Sequence, residues 1–154
     1  MTNYLKTMIA GATMLIAAVI PAAASDGVVT VKSNYSVAET VARIKKDVLK
    51  KGIKFFGVID QAKLGNNAGN DVRPSRLVMF GNPALGTTFI TSNPEAGLDW
   101  PVRVLVYQTA DGTVYAAYSD FDWIAKRHGI TDRAPQFKMA TEVIQSVTST
   151  IRKN

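Results

Sequence analysis

Apolar positions along this chain switch between two periods, and each switch marks an element. Residues 28–33, Val28-Val29-Thr30-Val31-Lys32-Ser33, are rich in β-branched side chains and read as a strand. From Val37 the spacing becomes three and four. Val37, Val41, Ile44 and Val48 share one helical face, and most of the lysines fall elsewhere. Ser36-Val37-Ala38-Glu39 has the form of a capping box, the serine accepting from the Glu39 amide while Glu39 reaches back to that of Ser36. Gly52 supplies a left-handed stop, so the pattern predicts a helix over residues 37–51. Residues 53–60 form a second strand, with Phe55, Gly57 and Ile59 on one face, Phe56 and Val58 on the other, and both faces covered. Strand, helix and strand in succession make a right-handed crossover if the two strands are parallel in one sheet.

Residues 61–71 carry Gly65, Asn66, Asn67, Gly69 and Asn70, which weaken any helix, so one short helical turn and a mobile loop are expected. Arg73-Pro74 imposes extended geometry, and residues 76–80, with Leu77, Val78, Met79 and Phe80, follow as a third, centrally buried strand. Val102, Val104 and Val106 alternate with Arg103, Leu105 and Tyr107. With Asp111-Gly112 as the turn, residues 102–108 and 113–119 form a hairpin. Residues 121–127 read as a short helix. Phe137, Ala140, Ile144, Val147 and Ile151 then step along one face of a C-terminal helix that has Pro135 near its start. Together these elements predict an α+β class: a two-layer domain with a mixed, mostly antiparallel sheet of about five strands and helices mainly on one face.

The N-terminus changes the domain count. Lys6 and the terminal amine precede an uncharged, mostly apolar run from Met8 to Ile20; Pro21 breaks it, and Ala22-Ala23-Ala24 offers small residues for cleavage. Residues 1–24 are therefore expected to be a signal peptide. The remaining 25–154 form a single domain, periplasmic or secreted, with no stable membrane span after processing. The competing reading is an uncleaved anchor, since the uncharged stretch approaches the roughly 18–20 residues that span a bilayer. A chain of 154 residues with 47% hydrophobic and 19% charged content suits one compact core.

The chain has no cysteine, which removes disulfides, thiol nucleophiles and thiolate metal ligands. Its formal charge of +6 falls to about +5 without Lys6. Much of the excess lies in Lys45, Lys46, Lys50, Lys51 and Lys54, either a solvated helix face or a surface for phosphate or anionic lipid. Neither aromatic interleaving nor a reading helix accompanies it, so no nucleic-acid partner is expected.

Several blocks recur in an order that resembles the domain-of-unknown-function 302 family. They are Thr40-Val41-x-Arg43-Ile44; Gly52-Ile53-x-Phe55-Phe56-x-Val58-Ile59-Asp60; Arg73-Pro74-x-x-Leu77-x-x-Phe80-Gly81-Asn82-Pro83-x-x-Gly86-Thr87; and Asp99-x-Pro101 before an apolar strand. The resemblance covers residues 28–119, and its most specific part runs from Arg73-Pro74 to Gly81-Asn82-Pro83. It implies a two-layer α+β domain, plausible as a homodimer, with no established reaction. The family often has a histidine after the aspartate that ends the second strand; here that place is Gln61.

The segment from Gly81 to Thr88 is the leading site. Asn82 takes Asx-turn geometry readily, Pro83 fixes the next φ, and Gly81 and Gly86 let backbone amides approach a partner. If a helix begins near Ala84, those amides with the Thr87 and Thr88 hydroxyls could hold a carboxylate or phosphate, and Arg73 could add a counter-charge. The same residues also make a good turn with no ligand, and both readings stay open. The expected ligand-binding set is Asp60, Arg73, Gly81, Asn82, Gly86, Thr87 and Thr88. No catalytic residue, metal site or cofactor is expected. His128, the sole histidine, reads as a surface or helix-end residue. Asp120 with Asp122, or Asp60 with Asp99, could pair for acid–base work, but such aspartates more often cap helices and turns. The tryptophans and tyrosines suit a pocket, a dimer interface or plain packing. The leading expectation is a non-catalytic module for a small anionic or polar ligand. A structural homodimer of the cell envelope comes next, and an enzyme of unidentified reaction third.

Overall fold

The computed structural model describes residues 27–152, so the expected signal peptide lies outside the described residues. Strand β1 (Val28–Ser33) leads through helix α1 (Val37–Lys50) to β2 (Lys54–Asp60) and α2 (Gln61–Asn67). Then come β3 (Ser75–Gly81), α3 (Pro83–Ser92) and a 3-10 helix (Pro94–Asp99) that the sequence reading did not foresee. The hairpin β4 (Val102–Gln108) and β5 (Val114–Ser119), α4 (Phe121–Arg127) and α5 (Ala134–Ser149) complete the order.

The five strands form one sheet in the order β1-β5-β4-β3-β2, and every neighbouring pair is antiparallel. The α+β class holds. β1 and β2 run in the same sense but occupy opposite edges, so α1 packs against β2, β3 and β4 on its way between them. β4 is the central strand; β3, expected at the centre, sits between β4 and the β2 edge.

Local chemistry explains the helix ends. Ser36 Oγ accepts from the Glu39 amide at 3.2 Å as the cap requires, whereas the Glu39 carboxylate pairs with Arg43 at 2.9 Å on the next turn. Gly52 stops the helix with φ of 66°. α2 is longer than the single turn expected, because Asp60 caps it through the Lys63 amide at 3.0 Å and Val72 folds over Gly65.

One face of the sheet buries Val78, Phe80, Val104, Val106, Val114, Ala116 and Tyr118 against Val41, Ile44 and Val48 of α1 and Phe137, Ala140, Ile144 and Val147 of α5. Ser33 and Thr40 satisfy each other in this interior through a 2.6 Å hydroxyl contact. On the opposite face Leu77, Met79, Leu105, Tyr107 and Tyr115 are only partly buried, the two tyrosines stacking at 5.8 Å.

The expected alternation in β2 fails at a bulge between Phe55 and Gly57, where the glycine takes φ of 151°. Phe55 pairs with core-facing Phe80 while Gly57 pairs with Met79, so the two lie on opposite faces. The extra residue turns Phe56 towards Trp100, edge-on at 5.6 Å. β2 is also an edge strand, which is why Phe56, Val58 and Ile59 are exposed instead of covered on both faces.

Candidate functional site

β3 ends at Gly81, Asn82 caps α3, and Pro83 occupies the first turn, where its missing N–H costs nothing. The donors assigned to a ligand from sequence are already engaged here. The Ala84 amide donates to Asn82 Oδ1 at 3.0 Å, and the Leu85 and Gly86 amides donate to the Asn82 carbonyl at 3.1 and 2.8 Å. The Thr87 hydroxyl donates to the Pro83 carbonyl at 2.7 Å and that of Thr88 to the Leu85 carbonyl at 2.6 Å.

The two glycines have a different role from the one expected. Neither adopts left-handed backbone; what each supplies is room. A Cβ on Gly86 would lie 1.8 Å from Trp100 Nε1 and 2.1 Å from Cδ1, and one on Gly81 would lie 3.0 Å from the same nitrogen. The bare backbone at the end of β3 and the start of α3 therefore admits an indole from the chain itself.

Beside that indole is a cavity of about 90 Å³, lined by Gly81, Asn82 and Gly86 together with Trp100, Asp99 and a predominantly apolar wall from β3, α3, α4 and α5. Phe80, Phe89 and Ile144 form its inner surface, and Met139, largely exposed, stands at its outer side.

Asp99 brings charge to the edge of this cavity. Its side chain is 4% exposed and accepts from three side chains: Arg103 Nη2 at 3.2 Å, Arg127 Nη1 at 3.2 Å, and His128 Nε2 at 2.7 Å. His128, expected at a surface or helix end, does cap the end of α4, but its side chain is buried at 3% exposure. Asn93 donates to its carbonyl at 2.8 Å, tying α4 to the 3-10 helix. The cluster clamps α4, the 3-10 helix and β4 together around one carboxylate. No signal short of the tertiary fold links Asp99 to His128, although Asp99-x-Pro101 marked half of the pair.

The rest of the expected set is at the other end of β3. Asp60 pairs in register with Arg76, near the start of the strand, while Val102, just after Asp99, pairs with Phe80 near its end. Asp60 and Asp99 are thus no carboxylate pair. Asp60 instead caps α2 and accepts from Arg76 at 3.1 Å. The Lys63 amide foremost, with Arg76 added, holds the Asp60 carboxyl below its ordinary range against some desolvation. This pair borders a broad, open groove of about 510 Å³ that also includes Lys63, Asn66 and Ser75. Arg73, exposed in the segment entering β3, belongs to this end and gives the Gly81–Thr88 turn no counter-charge. Asp120, as its sequence setting implied, caps α4 through the Trp123 amide at 2.8 Å. Among the described residues no cluster of three or more histidine or acidic side chains is arranged to hold a metal ion.

The model of the family described as "Domain of unknown function DUF302" matches residues 29–153. The chain belongs to the DUF302 family. A solved DUF302 structure, the uncharacterized conserved protein from Bacillus stearothermophilus, superposes with a TM-score of 0.66 at 16% identity, covering 82% of this chain and 97% of that one. That likeness establishes the shared fold. Among curated proteins, "Fluoride-specific ion channel FluC 1" of Brucella suis biovar 1 is 36% identical over 104 residues, 68% of this chain and 41% of its own length. "Fluoride-specific ion channel FluC 1" of Brucella abortus biovar 1 is likewise 36% identical over 104 residues, 38% of its length. The DUF302 chain thus spans about two-fifths of the curated relatives it matches. Among its described residues no helix is long and apolar enough to cross a membrane.

Proposed function

We propose that this protein is an exported, non-catalytic module that binds a small ligand in the cavity beside Trp100. The observation that carries the reading is the cavity's wall: the family-specific residues Gly81, Asn82 and Gly86 line it alongside a mostly apolar surface. This moves the ligand seat away from the amides of the α3 turn, which are occupied, and gives it a largely apolar character. The apolar body adds to the expected anionic or polar chemistry a compact hydrophobic part. A cavity of about 150 Å³ accepts benzene, so 90 Å³ with a partly open mouth fits a body somewhat smaller than that ring. The likeness to part of proteins named as fluoride channels supports a module of the cell envelope, working beside membrane proteins.

Thermal denaturation with cyclobutanone, one heavy atom smaller than benzene, as probe tests this. Saturable stabilisation is expected, reaching about 2.7 kcal/mol at about 100 times Kd, and it should vanish in Val143→Phe, which fills the cavity from α5. No saturable shift with cyclobutanone or with similarly compact hydrocarbons would refute the reading.

The partly buried apolar side chains on the second face of the sheet favour another reading, a structural homodimer joined through that face. Sedimentation of Leu105→Lys separates the two. Dissociation of a wild-type dimer supports association, and an unchanged monomer removes it.

A further inference from the structure

The net charge of the chain is concentrated in one stretch. Residues 43–54 carry six basic side chains against the single acid Asp47, which leaves twelve basic and eleven acidic residues elsewhere, close to balance. The acids nearby are already engaged: Asp47 pairs with Lys51, and Glu39, a turn earlier, with Arg43. Lys45, Lys46, Lys50 and Lys54 are exposed and have no carboxylate partner among the described residues. Two of these ammonium groups lie over aromatic rings instead, Lys45 Nζ 5.1 Å from the centre of Phe55 and Lys54 Nζ 5.4 Å from that of Phe56. Large apolar side chains stand out among them. Leu49, one helical turn beyond Lys45 and Lys46, is 54% exposed, and Phe56 is 40% exposed. A face that met only water would gain nothing from exposing leucine and phenylalanine between its lysines.

The shape of this surface narrows the partner. It is the outward side of α1 with the edge strand beside it, and none of these lysines lines the cavity beside Trp100, the groove at Asp60 or the groove between α4 and α5. It therefore offers no cleft for a peptide or a single small anion. Five of the six cations are lysines, compact charges suited to a diffuse negative field, whereas a bidentate grip on individual carboxylates or phosphates calls for arginine. Independently of the cavity reading, we infer that the outward face of α1 and the start of β2 form a docking surface for an anionic lipid bilayer. Lys45, Lys46, Lys50 and Lys54 meet the headgroups, while Leu49 and Phe56 enter the boundary with the acyl chains.

The test sediments the purified protein with vesicles of phosphatidylcholine alone or with about one-third phosphatidylglycerol. Each is run at low salt and at about 1 M salt, where the Debye length shrinks to about 3 Å. At low salt the anionic vesicles should bind about tenfold more tightly or better, and high salt should remove most of that difference. Lys46→Gln combined with Lys50→Gln should weaken binding to them about thirtyfold, since each lysine near such a surface contributes about fivefold. Glutamine matches lysine in helix propensity, so the fold is retained. Leu49→Ser should weaken binding about fivefold through lost apolar burial. Lys126→Gln combined with Lys138→Gln removes the same charge from α4 and α5 and should change affinity by less than about threefold. Equal binding to both vesicle types, or equal weakening by the two lysine pairs, overturns the inference. An unchanged affinity in Leu49→Ser also overturns it, and tight binding to soluble polyglutamate then identifies an acidic polymer as the partner.

Discussion

Replacing Gly86 by alanine isolates the packing on which the site depends. The added methyl would occupy a point 1.8 Å from Trp100 Nε1, 2.1 Å from Cδ1 and 2.5 Å from Cε2, all within one rigid ring. No small torsional change relieves contacts with three ring atoms, so the indole must swing out and forfeit its contact with Phe56 and much of its burial. Overpacking and loss of an aromatic anchor together cost about 3 kcal/mol. Alanine regains up to about 1 kcal/mol of helix propensity in α3. The net is about 2 kcal/mol, a fall of about 6–8 °C in Tm for a domain of this size. Thermal melts followed by circular dichroism, with the tryptophan emission shifting red, should show it. The decisive comparison is Gly86→Ala in a Trp100→Ala background, where the methyl meets no ring and should be neutral or mildly stabilising. If it costs the same about 2 kcal/mol there, the clash is not its cause and the account of the glycines is wrong.

Asp99→Asn keeps the shape of the side chain but leaves Arg103, Arg127 and His128 facing a neutral amide. Because the carboxylate is almost wholly buried, a loss of about 2 kcal/mol in urea denaturation is expected, and a change below about 0.5 kcal/mol would show that the clamp contributes little. Part of the acid sensitivity should come from the β4–β5 turn. The Thr109 hydroxyl foremost, then the Thr113 amide and hydroxyl, hold Asp111 at a pKa of about 2. The folded value lies below the unfolded one, so the unfolded chain binds the extra proton. This stabilisation is complete above about pH 4 and is lost as pH falls towards 2. Asp111→Asn should lower Tm at neutral pH and flatten the decline across that window; a profile parallel to wild type would contradict it.

Much of the fold was legible because its cues are local. The period change after Ser36, the caps at Ser36 and Asp120, the Asp111-Gly112 turn and the α5 stripe all act within a few residues of themselves. The bulge in β2 was hidden, since Gly57 reads as an ordinary strand glycine until its register against Met79 is known. The site was half legible. Gly81, Asn82 and Gly86 were singled out for amide access, whereas the two glycines make room for an indole that follows Gly86 by the rest of α3 and the 3-10 helix. Arg73 was grouped with them on proximity in sequence. A strand of seven residues separates the two by its whole length, about 20 Å. His128 was placed at a helix end, correctly, and its burial came from Asp99, a partner that only the packing of α4 against the 3-10 helix supplies.

The strand order also governs how the molecule is assembled in time. Val28 meets Ser119 and Ser33 meets Val114, so the first strand made must wait for the last, about ninety residues later, before its ladder can close. A nascent fragment that stops short of β5 carries a β-branched ribbon with nothing to zip against and an α1 whose apolar stripe has only part of its floor. Completion of the sheet is therefore a late, long-range event.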